Sequence, residues 1–120
     1  IGAVDFISVY AADFDLLDEN LHGYSNYRFS EYPARKRLVS SAIKALLLDG
    51  NIRFQMAPTG YKYSITEAGK SICKKLTSNY ADEYRIAVQT VIKSFDNANA
   101  ELMLREINRL TIQSLEGGQA

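Results

Sequence analysis

Residues 33–65 constrain this chain more than any other stretch. Val39, Ala42, Ile43, Leu46 and Leu47 recur at steps of three, one, three and one, the stripe of an amphipathic helix. Pro33 falls in its first turn, where a missing N–H costs nothing, and Ser30 stands where an N-cap belongs. Asp49-Gly50 ends it, with the glycine as a left-handed C-cap. Two segments of alternating character follow at once, 52–56 and 61–65, separated by the turn Ala57-Pro58-Thr59-Gly60. The pattern predicts a helix that feeds a two-stranded hairpin with one apolar face. Arg53 and Lys62 fall on the other face, toward solvent, and Arg37, Ser41 and Lys44 point away from the helical stripe.

The flanks read as helices. Ala3, Ile7, Tyr10 and Phe14 share one helical face and predict a helix over 2–14. A long connection, 15–30, carries the turn formers Asn20, Gly23, Ser25 and Asn26. Leu21, Tyr24, Tyr27 and Phe29 lie within it, so it should pack on the domain. After the hairpin, Thr66 caps a helix whose inner side would hold Ala68, Ile72, Cys73 and Leu76, with Cys73 a buried structural thiol. Ser78 or Asn79 caps the next, with a stripe of Tyr84, Val88, Val91, Ile92 and Phe95. Asp96-Asn97-Ala98-Asn99 breaks the chain before a last helix bearing Ala100, Met103, Leu104, Ile107 and Leu110.

The fold class expected is α+β, mainly α. At 120 residues the chain has room for one domain, read here as 1–115 with C-terminal helices over about 79–115 and a loose tail at 116–120. A single cysteine and a single histidine exclude an intramolecular disulfide, a Cys/His zinc cluster and a di-histidine metal site. No run of 18 apolar residues exists, so no membrane partner is expected, and no secretory signal is visible; the expected location is cytoplasmic. The first residue is Ile1 rather than Met, and it opens inside an apolar stretch, as a fragment of a longer chain would.

Fourteen bases balance fourteen acids, but unevenly along the chain. Residues 1–31 carry six acids and one base, and residues 32–75 carry nine bases and two acids. Two readings stand: an anionic partner met by the middle, or pairing of the ends with the middle inside the fold. Arg35, Lys36 and Arg37 sit in the first turns of the second helix, where exposed cations oppose the macrodipole at ~0.3–1 kcal/mol each. Stability did not choose them there.

The order helix, Asp-Gly, hairpin, helix resembles a winged helix-turn-helix. Tyr63-Ser64-Ile65-Thr66-Glu67-Ala68-Gly69 looks like the exit from such a wing. In DNA-binding members the helix before the wing enters the major groove, so that Arg35, Lys36, Arg37 and Lys44, with Arg53 and Lys62 on the wing, would meet phosphates.

A second resemblance runs from about residue 5 to 95. Its landmarks are Asp5-Phe6 with Tyr10, Asn20-Leu21-His22-Gly23, Ser30-Glu31-Tyr32-Pro33-Ala34-Arg35-Lys36-Arg37, Gly60-Tyr61-Lys62-Tyr63 and Ser78-Asn79-Tyr80-Ala81. This set resembles the middle component of three-component ABC systems, the small subunit encoded with an SMC- or RecN-like ATPase, as in Lamassu-type bacterial defence. The resemblance implies a non-enzymatic accessory subunit that docks on the ATPase and helps hold or regulate a nuclease-type effector. It also implies a helix before residue 1, which fits the missing Met, and it carries over no catalytic, cofactor or metal residue.

Candidate partner-binding residues are Leu21, His22, Tyr24, Tyr27 and Tyr32, because tyrosine offers large contact area with a polar tip. Candidate contacts to DNA or an acidic partner are Arg35, Lys36, Arg37, Lys44, Arg53 and Lys62. His22 alone, beside Gly23, reads as a loop anchor; no nucleophile elbow surrounds it. Asp13, Asp15, Asp18 and Glu19 lack the spacing of a calcium loop. No small-molecule substrate is implied. The competing function is a winged-helix transcription regulator acting as a dimer. A small hydrolase has no constellation behind it.

Overall fold

The computed structural model describes residues 1–117. Five helices and one hairpin follow in order: α1 (Gly2–Val9), α2 (Tyr32–Leu48), β1 (Ile52–Ala57), β2 (Gly60–Ile65), α3 (Glu67–Lys74), α4 (Asn79–Ser94) and α5 (Ala100–Gly117). The chain is mainly helical, with one antiparallel two-stranded sheet. The remainder of the expected tail, 118–120, lies outside the described residues. Among the described residues no helix is long and apolar enough to cross a membrane.

α1 is the centre. Phe6, Ile7 and Val9 are fully buried and Tyr10 nearly so, because α2, α4 and α5 surround the helix. A helix buried on most of its sides needs apolar residues nearly all round, which its sequence supplies. Phe6 meets Tyr10, Phe14 and Tyr32 edge-on, at ring centroid distances of 5.3, 6.5 and 5.3 Å. Val91 of α4 and Met103 and Ile107 of α5 close the core.

The predicted helix 2–14 is broken. α1 stops at Val9, and a separate 3₁₀ helix covers Ala11–Phe14. The cause lies in the connection. The Val9 carbonyl accepts from the His22 N–H at 3.1 Å. The Asn20 side chain accepts from the amides of Ala12 and Asp13 at 2.9 and 3.3 Å. Those groups would otherwise continue the helical ladder.

The start of α2 also differs. Ser30 does not cap it: its hydroxyl donates to the Tyr27 carbonyl at 2.7 Å, and a 3₁₀ turn, Arg28–Glu31, leads straight into Tyr32. The other punctuation is as read. Gly50 is left-handed (φ 74°). Thr66 accepts from Gly69 N–H and Ser78 from Ala81 N–H, each at 3.1 Å. Asp96, Asn97 and Ala98 all have positive φ and turn the chain from α4 into α5.

The hairpin register pairs Ile52 with Ile65, Phe54 with Tyr63 and Met56 with Tyr61 on one face. Arg53, Gln55, Lys62 and Ser64 share the other. The strand α3 follows is stapled to the end of α2. Thr66 N–H donates to the Asn51 carbonyl at 3.0 Å, and its hydroxyl to the Gly50 carbonyl at 2.7 Å. Gly69 is obligatory there, since a Cβ would sit 2.1 Å from the Asn51 oxygen.

The expected inner side of α3 is not inner. Ala68, Ile72, Cys73 and Leu76 are all exposed, and the Cys73 thiol with them. Among the described residues nothing buries this apolar side; Arg85 of α4 reaches only the carbonyls of Cys73 and Leu76, at 3.0 and 2.8 Å.

Candidate interaction surface

The 15–30 connection packs Leu16 and Phe29 on the core and is fixed between them by polar groups. Asn20 is its hub. Besides the two amides it accepts from, its side-chain amide donates to Asp13 at 2.7 Å and to the Gly23 carbonyl at 3.0 Å. Arg28 grips Asp13 with two parallel bonds of 2.7 and 2.9 Å and lies 4.8 Å from the Phe29 ring centroid. That bidentate geometry fixes both side chains.

The five candidate residues of this region divide. Tyr24 and Tyr27 are 53% and 78% exposed and are free to meet a partner. The Tyr24 hydroxyl donates to Glu19 at 2.6 Å, which raises its pKa. Leu21 is half-buried and lines a cleft of about 320 Å³ together with Leu17, Glu19, Asn20, Tyr80, Glu83 and Ile86. Tyr32 packs on Phe6, and burial raises its pKa. His22 lies 2.7 Å from the Tyr80 hydroxyl through Nε2 and edge-on to Tyr10. Desolvation pushes its pKa down, and the charge of Arg35 adds to that. Its ring meets α4, 58 positions away, rather than the turn of its own loop.

The six cations divide as well. Arg35 is not available to DNA or to a partner. Its guanidinium holds Asp5 of α1 through bonds of 2.9 and 2.7 Å, and Asp5 is 5% exposed. The Tyr84 hydroxyl donates to the same carboxylate at 2.7 Å, and burial followed by that bond raises the Tyr84 pKa. Tyr10 likewise donates to Glu31, and burial first, then Glu31, raises its pKa. Arg35 thus realises the intramolecular pairing between the acidic start and the basic middle. Lys36, Arg37, Lys44, Arg53 and Lys62 are exposed, and none has an ion pair among the described residues. Arg37, Ser40, Ser41 and Lys44 form a continuous polar strip along α2.

One surface was missed. The apolar face of the hairpin is open: Met56 is 77% exposed, Tyr61 72%, Phe54 47%, Ile65 43% and Tyr63 40%. The alternation marks the apolar face; it carries no information on whether anything covers that face. The available signal was α3, too short and too poor in large apolar residues to cover six cross-strand side chains.

A family model, ABC-three component (ABC-3C) system Middle Component 2, matches residues 1–117. The chain belongs to this family. Among curated proteins and among solved structures, none matches it. The match spans the buried half and the open half of this middle component alike. It is therefore an accessory component of an ABC-three component system, and its partners include other components of that system. Among its described residues no three His, Cys, Asp or Glu side chains gather as a metal site would require.

Proposed function

We propose that this middle component is a non-enzymatic, cytoplasmic connector. It docks on an SMC- or RecN-like ABC ATPase and helps hold or regulate a nuclease-type effector, in an anti-phage or anti-plasmid defence complex of the Lamassu kind. In this reading residues 1–115 act as one winged-helix-like domain. ATP hydrolysis and DNA cleavage belong to the other subunits.

The observation that carries the proposal is surface area. The chain exposes 8342 Å², against roughly 6500 Å² for a folded monomer of this length. Its radius of gyration is 15.5 Å, against about 13.6 Å for a compact chain. A chain with that much uncovered surface, much of it apolar, is built to be completed by partners. The test is capture of the tagged chain from its native host, with nuclease added and the recovered proteins identified by mass spectrometry. Stoichiometric recovery of an ABC ATPase is expected. Recovery of the chain alone would overturn the reading.

A second reading, a DNA-binding regulator acting as a dimer, is favoured by the Arg37-Ser40-Ser41-Lys44 strip on α2 and by Arg53 and Lys62 on the hairpin. It predicts a dimer that shifts duplex DNA with a steep salt dependence. A monomer indifferent to DNA would sink it.

A further inference from the structure

The open face of the hairpin is a built surface. Its three cross-strand pairs place Phe54 opposite Tyr63 and Met56 opposite Tyr61. The Phe54 ring stacks on Tyr61 at 5.0 Å and leans on Tyr63 at 5.3 Å. The aromatic side chains therefore brace one another in solvent, so little rotamer freedom remains to be lost on binding. α3 extends the patch. Gly69 lies against Ile65 at the base of the hairpin. Ile72, one turn further along the same side of α3, is 44% exposed, and Leu76, just past the end of the helix, is 52% exposed.

The dimensions select the shape of the occupant. A two-stranded ribbon of six-residue strands is about 20 Å long and about 10 Å wide across its side chains. That is the footprint of one α-helix of about 13 residues. The charge selects its chemistry. Residues 32–75 carry nine bases and two acids, and only Arg35 and Lys70 are engaged by acids among the described residues. A second copy docked face to face would set these cations against one another. The excess surface, roughly 1800 Å² over a compact monomer, exceeds the ~800 Å² that one partner contributes to a standard interface.

We propose that the apolar face formed by Phe54, Met56, Tyr61, Tyr63 and Ile65 seats an amphipathic helix of another component of the system, its apolar stripe flanked by carboxylates. The inference deepens the connector reading and rests on it. The partner helix covers the aromatic ladder, and its acids answer the net positive charge of residues 32–75; Arg53 and Lys62 themselves lie on the opposite face of the ribbon.

The test co-expresses the tagged chain with the other components encoded beside it and measures recovery on the tag. The variants are Met56→Asp with Tyr61→Asp, Lys62→Glu alone, and Ile112→Asp on α5 as a matched control. All four residues are exposed, so the melting curves should coincide with wild type. The hairpin double variant should lose recovery at least tenfold; Lys62→Glu, on the opposite face of the ribbon, should weaken recovery far less, through the net charge of the region alone; and the control should not change. A photo-crosslinking residue at position 61 should capture a segment with a helical apolar stripe and acidic flanks. Wild-type recovery that the double variant retains overturns this docking surface and leaves the connector reading standing. Failure of the wild type to capture any component overturns the connector reading, and this inference with it. A dimer of the free chain that the double variant splits, or duplex DNA that it releases, overturns the inference in favour of a second copy or of nucleic acid.

Discussion

Two regions of this chain fold under different rules. Around α1, the core from Ala3 to Phe14 is sealed by Phe29, Val91, Met103 and Ile107. From Ser30 to Ile86, by contrast, the buried residues are Asn51 and Gly69, and neither has a large apolar side chain. The first region, the body, is held by apolar burial. The second, an arm of the later turns of α2, the hairpin and α3, is held chiefly by backbone bonds: the ladder of β1 and β2, the Thr66 links to Asn51 and Gly50, and the close approach at Gly69. An isolated hairpin is marginal in water, so such an arm should open at lower cost than the body. The difference teaches where the chain keeps its stability and where it keeps its contacts.

The largest effect expected is in the body. Phe6→Ala removes a fully buried ring and should cost about 3–5 kcal/mol, read as a large fall in the urea midpoint. Next is the seam between the regions. Asp5→Ala strands the Arg35 guanidinium and the Tyr84 hydroxyl and should cost about 3 kcal/mol. In a cycle with Arg35→Ala the two losses should be far from additive.

The arm is probed next. Gly69→Ala drives a methyl into the Asn51 carbonyl and should cost about 1–3 kcal/mol. Faster hydrogen exchange should be confined to 52–76, with 3–14 unchanged. Equal loosening of both would break the comparison.

The connection responds to pH. The His22 pKa is depressed by burial and by Arg35, so the unfolded chain binds this proton at higher pH than the folded one. Its contribution is complete above the unfolded value, near 6.5, and is lost as pH falls through the folded value. The melting temperature should fall between pH 7 and 5, and more shallowly in His22→Gln. The smallest effect is Met56→Ser, which should change stability by less than about 0.5 kcal/mol because the side chain touches little.

Local signals were legible in the sequence and long-range ones were not. Gly50, Thr66, Ser78 and the hairpin register follow from turn, cap and alternation chemistry among near neighbours. The division of 2–14 was hidden, because it depends on Asn20 and His22 reaching back across the connection. The cation run at 35–37 read as one patch, yet Arg35 turns inward to Asp5, thirty positions away, while Lys36 and Arg37 turn out. Cys73 read as buried from helical periodicity alone. Periodicity says which residues share a side; it does not say whether anything lies on it.

The most direct test is hydrogen exchange followed by mass spectrometry, on the chain alone and on the chain captured with the other components of its system. In the free chain, amides of 38–76 should exchange well before those of 3–9 and 87–107. In the complex, 52–65 should slow while the body stays as it was. Uniform protection in the free chain, or slowing in the complex that spares the hairpin, would contradict the account.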